Sequence, residues 1–227
     1  MKKYLLSIAL TFILSIEINA HVEHYSKYNF LEYELFRNDK LIGYHKYNFS
    51  RNGDNLTIDN EVSFKITKLG VDLYKYYAKG EEKYENGVFS SFYSQTNQNK
   101  KEKYVSISID PIDKNLIIDG SSFKGKVDKD IIIGTWWNHE IVQKNAQISA
   151  VSGRIIEQTV KFLGKEEIKI GNKVYKTLRF NFSSSDPSLS KDKKLNTDIW
   201  YEENTFLWVK AAFDKTGHWE YRLKTVK

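Results

Sequence analysis

The chain has 227 residues, with 35 Lys and Arg against 29 Asp and Glu, 15% aromatic residues, two prolines and no cysteine. The missing cysteines exclude a disulfide framework and also a lipid anchor on a cleavage-site thiol. The net charge of +6 is modest and is interspersed with acidic residues, unlike the basic stripe of a nucleic-acid binder, so no nucleic-acid partner is expected.

Residues 1–20 read as a cleavable signal peptide. Met1-Lys2-Lys3 supplies a basic start, Leu5 to Ile16 an almost unbroken apolar run, and Asn19-Ala20 a cleavage end. The run is about a dozen residues, short of the roughly twenty that span a bilayer as a helix. The expectation is a periplasmic or secreted protein with no transmembrane helix once the leader is gone. Lys2, Lys3 and Glu17 leave with it, which takes the net charge from +6 to near +5. Residues 21–227 are expected to form a single β-rich domain stabilised by burial alone. The sequence sets no oligomeric state.

Turn dipeptides punctuate the rest of the chain. Asn52-Gly53, Asn86-Gly87 and Gly171-Asn172 are of the kind that supply positive φ in tight hairpins. Leu56, Ile58, Val62, Phe64 and Ile66 share one parity while Thr57, Asp59, Glu61, Ser63 and Lys65 share the other, which predicts a half-buried strand. The pattern recurs at Val105, Ile107 and Ile109, at Val174, Leu178, Phe180 and Phe182, and at Trp219, Tyr221 and Leu223. One wet face per strand predicts antiparallel sheet. Gly43 and Gly164 fall inside strands and mark bulges or bends. The one predicted helix is short and lies near 135–144. Thr135 is its expected cap, with Trp136, Trp137, Ile141 and Val142 on one side and Asn138, His139 and Lys144 on the other. Ser183 to Lys194, with Asp186-Pro187 inside it, reads as a polar loop. The fold class is therefore all-β: a long-stranded antiparallel meander forming a strongly curved sheet or partly closed barrel.

A membrane β-barrel is the architectural rival. Asn60, Lys68, Lys176 and Lys210 interrupt the parities that would face lipid, and the chain closes on Thr225-Val226-Lys227 without a terminal aromatic residue.

Six segments carry a family resemblance: Leu41-Ile42-Gly43-Tyr44-His45, Thr135-Trp136-Trp137-Asn138, Ser152-Gly153-Arg154, Phe162-Leu163-Gly164, Ile199-Trp200-Tyr201 and Gly217-His218-Trp219-Glu220-Tyr221. In this order they resemble an uncharacterised family of exported bacterial β-rich proteins, the domain of unknown function 6134. The resemblance spans nearly the whole mature chain. It implies a β-rich fold and brings no known activity, cofactor or catalytic residue.

Catalytic constellations are not apparent. The five histidines match no metalloprotease, zinc or nucleophile-elbow pattern. His45 and His218 are expected on the surface, and Glu81-Glu82 and Glu166-Glu167 read as solvent charges. Cleavage after Ala20 would make His21 the first residue, whose amine and imidazole could grip copper with His24 or His139. No cofactor is otherwise expected. The binding candidates are aromatic: Trp136 and Trp137 with Asn138 and His139 as polar anchors, joined by Trp200 and Tyr201. Two adjacent tryptophans on a helix diverge by about 100°, so one should line a cleft. A Trp-lined cleft suits a lipid, an amphiphile or a glycan. The reading is a non-enzymatic exported protein that binds such an envelope component. An assembly scaffold acting through a sheet edge is the alternative, then a hydrolase or copper protein.

Overall fold

The computed structural model describes residues 25–190 and 193–227. The predicted leader, His21 and His24 lie outside the described residues. The first half of the chain runs through β1 Phe30–Arg37, β2 Lys40–Asn52, β3 Asn55–Lys68, β4 Val71–Glu85, β5 Val88–Gln98, β6 Lys101–Ile109, β7 Leu116–Gly120 and β8 Lys124–Val127. A bridging segment holds β9 Ile132–Ile133, a 3-10 turn His139–Gln143 and β10 Ala146–Ile148. The second half is β11 Ile155–Ile170, β12 Lys173–Ser184, β13 Asn196–Glu202, β14 Trp208–Asp214 and β15 His218–Val226.

The strands form one sheet, ordered β8 back to β1 and then β15 down to β9. Consecutive strands are therefore neighbours except β8 and β9, which form the two edges, and the first and last strands pair at the centre. Among the described residues only β9 with β10 is parallel. The expected alternation holds: Leu56, Ile58 and Val62 of β3 and Val105 and Ile107 of β6 are buried. Asn86–Gly87 and Gly171–Asn172 are two-residue turns; at the third site the turn is Gly53–Asp54, with Asn52 still paired to Asn55.

Gly43 and Gly164 lie beside register shifts, in the β1–β2 and β11–β12 ladders respectively. At Gly43 the cause is close approach, since a Cβ there would sit 2.0 Å from the Ser63 carbonyl oxygen. The Gly164 bulge also corrects the expected parity of β12. Phe180 and Phe182 face the core, but beyond the bulge Tyr175 is buried and Val174 is exposed, because the extra residue bends the hairpin.

The sheet curls around its own bridging segment. Trp137 and Ile141 pack in one cluster with Tyr33, Tyr47, Tyr84, Phe182, Tyr201, Trp208 and Leu223, side chains drawn from strands across the ladder. Phe92, Val105, Ile107 and Ile118, near one end of the sheet, pack on Ile133 and Ile148 at the other. The ends thus meet through these side chains and through the Ser122 amide, which bonds to the Ser152 carbonyl at 2.9 Å, and the ladder is not closed by strand pairing. The outward face carries charge, as in the cross-strand row Lys46–Glu61–Lys79. An apolar interior and charged exterior are the reverse of a barrel in lipid. No helix among the described residues is long and apolar enough to cross a membrane.

Candidate functional site

The predicted helix over 135–144 is corrected to the 3-10 turn His139–Gln143, capped by Asn138, whose Oδ1 accepts the Glu140 amide at 3.0 Å. Thr135 does not cap it. The Trp137 amide bonds to the Thr135 carbonyl at 2.5 Å, with Trp136 between them at φ +50°. Positive φ is rare for a bulky residue and costs about 1–3 kcal/mol. Two buried hydroxyls hold the turn: Tyr47 donates to the Thr135 carbonyl at 2.7 Å and Tyr201 to the Trp136 carbonyl at 2.9 Å. This conformation, rather than helical geometry, parts the two tryptophans. Half-buried Trp136 meets Trp208 and Tyr221 edge-on at 5.4 and 5.5 Å. Trp137 is fully buried against Tyr25, Phe49 and Tyr84.

The Trp137 indole leads to a group that was expected in solvent. Glu82 of β4 is 3% exposed and lies on the inward parity with Ala78 and Tyr84. Its Oε1 accepts the Tyr84 hydroxyl at 2.6 Å, and its Oε2 accepts the Trp137 Nε1–H at 3.0 Å and the Thr135 hydroxyl at 3.4 Å. All three partners are neutral. Burial raises the carboxyl pKa above its ordinary 4.5, against the lowering effect of these hydrogen bonds.

Glu82, Tyr84 and Asn138 form the polar side of a cleft of about 570 Å³ at the seam where the sheet ends meet. Phe89, Leu116 and Ile131 to Ile133 supply apolar walls, while Lys114, Lys129 and Lys144 also line it, beside Asp130 and Glu140. The volume falls within the roughly 300–1,000 Å³ of ligand sites.

Of the six residues singled out by sequence, Asn138 lines this cleft and Trp137 backs it through Glu82. The structure does not gather the others there. His139 stacks flat on Phe206 at 4.5 Å. Tyr201 is in the core and its neighbour Trp200 is on the outward face, as strand alternation requires. Trp200 donates to Glu166 and is flanked by Arg179 at 4.8 Å and Lys210 at 5.0 Å, so its ring is not an open stacking platform. His45 is a second correction. It is inward with Tyr47, 4.3 Å away, its Nδ1 is sealed without a partner, and burial lowers its pKa below 6.5. His218 is exposed and bonded to Asp214 at 2.9 Å, as expected of a surface-paired group. Among the described residues no group of three or more His, Cys, Asp or Glu could hold a metal ion. The cleft residues of β4 to β7 were missed because they are spread over four strands that only the curl of the sheet brings together; for Glu82, the parity it shares with Ala78 and Tyr84 was the available signal.

The architecture and cleft define a class: a curled, mostly antiparallel β-sheet wrapped on its own connector, with a ligand-sized cleft at the seam. Residues 33–224 match the family described as Domain of unknown function (DUF6134), and the chain belongs to that family. No curated protein matches it.

Proposed function

We propose that the protein is an exported, non-enzymatic binding protein of the bacterial envelope that takes an anionic amphiphile, a lipid-like molecule, in the seam cleft. The observation that carries this reading is the lining: apolar walls from Phe89, Leu116 and Ile131 to Ile133, with the three lysines Lys114, Lys129 and Lys144 beside Asp130 and Glu140. Acyl chains favour such walls through the hydrophobic effect, and an acidic head is attracted by ammonium groups. Glu82 and Tyr84 add a polar, hydrogen-bonding wall. Export rests on the leader at 1–20. The scaffold alternative is disfavoured by the sheet edges, since β8 has four residues, two of them lysine, and β9 has two.

Native mass spectrometry of protein purified from its own periplasm should show a bound amphiphile, on a chain beginning at His21. The apo protein should bind a fluorescent long-chain fatty acid, and Ile131→Trp, which fills the cleft, should weaken that binding at least tenfold. A bare protein that ignores the probe would remove the binding reading, and retention in the cytosol would remove export.

A further inference from the structure

We infer that the tip of the β3–β4 hairpin is a docking finger that seats the protein on an anionic lipid bilayer. The tip is the two-residue turn Leu69–Gly70 between paired Lys68 and Val71, with φ of +50° and +80°. Among the described residues the five other two-residue hairpin turns begin on Asn38, Gly53, Asn86, Asn99 and Gly171, residues that tolerate positive φ. Leucine there brings the Cβ clash that Asn and Gly lessen or avoid. It is also 96% exposed, with Val71 at 61% and Leu73 at 54% beside it. Local geometry and solubility both disfavour this choice, and insertion among lipid chains accounts for it.

The charges beside the tip fit the same partner. Residues 65–75 hold Lys65, Lys68 and Lys75 against Asp72, three positive charges and one negative, a balance of +2. Lys65 and Lys75 face each other across the ladder, a like-charge pairing that costs stability in water. Asp72 partly offsets it, at 4.0 Å from Lys65 and 3.0 Å from Lys75. Both lysines line a hollow of about 440 Å³ with Tyr44 and Tyr77 just below the tip. Phosphate headgroups meeting these lysines, with the aliphatic tip below the headgroup level, would satisfy both features. The tip lies at the opposite end of the strands from the seam cleft, so this surface is independent of the ligand reading.

The test is co-sedimentation of the whole exported chain with vesicles of phosphatidylcholine, with and without phosphatidylglycerol. Wild type should bind only the anionic vesicles, and more weakly as salt rises. Leu69→Asn removes the apolar tip and suits positive φ, so it should keep or raise the melting temperature while lowering vesicle affinity at least tenfold. Replacing Lys65 and Lys75 together by Gln should lower affinity about thirtyfold. Cleft occupancy, read by native mass on Leu69→Asn, should match wild type, which keeps the two proposals separable. Wild type that ignores anionic vesicles, or Leu69→Asn that binds them unchanged, would overturn the finger. A dimer that Leu69→Asn dissolves, without vesicle binding by wild type, would overturn it in favour of a protein interface.

Discussion

Glu82 and His45 show how burial, rather than residue type, sets the behaviour of a side chain. Glu82 has a raised pKa in the folded state, so its contribution to stability is full below the unfolded value of 4.5 and is lost as pH rises through the folded value. His45 works oppositely: its folded pKa lies below 6.5, so its contribution is full above 6.5 and is lost as pH falls. Glu82→Gln keeps His45 and removes only the first effect. Its stability relative to wild type should therefore increase with pH, by at most about 1.4 kcal/mol per pH unit, in urea melts at pH 5 and pH 8. Glu82→Ala leaves the Trp137 indole without an acceptor and opens space, at a cost of about 2–4 kcal/mol. A pH-independent difference between Gln and wild type would show that the carboxyl titrates alike in folded and unfolded chains. Both residues were legible only through parity, Glu82 with Tyr84 and His45 with Tyr47, because a charged or basic neighbour in sequence says nothing about the face a strand turns inward.

At the scale of elements, turns and strands were the most legible features. Asn86-Gly87 and Gly171-Asn172 lie where expected because positive φ is a local preference of Asn and Gly. The short helix lies inside the expected span but starts at His139 rather than after Thr135, for a tertiary reason. Trp136 takes φ +50° because Tyr47 and Tyr201 hold the flanking carbonyls, and neither tyrosine is near it in sequence. Glycines divide in the same way. Gly53 has open space around a Cβ and owes its place to φ +58°, whereas Gly43 is fixed by the Ser63 carbonyl and by Phe64 Cβ at 2.5 Å. Gly43→Ala should thus cost about 2–3 kcal/mol by overpacking, and Gly53→Ala about 1 kcal/mol by backbone strain. Chemical denaturation of the two variants measures this, and equal costs would contradict the close-approach account of Gly43.

For the whole molecule, the central event is pairing of the first strand with the last. β1 lies between β2 and β15, and the Asn29 amide reaches the Lys227 carbonyl at 2.6 Å. Such long-range contact is slow to form and cooperative once formed. Hydrogen exchange should be slowest in β1, β2, β14 and β15 and fastest in the free edges β8 and β9. Protection of β8 equal to that of β1 would mean that a partner or a second pairing covers the edge. The sequence by itself determined the all-β class, the turns at Asn86-Gly87 and Gly171-Asn172 and most of the inward parities, because period-two burial and positive φ act between adjacent residues. Tertiary structure alone decided which parity each end of β12 presents, where Trp136 and Trp137 point, and the seam cleft. The cleft unites Glu82, Leu116 and Ile132 from separate strands, and their meeting depends on the curl that brings the two ends of the sheet together.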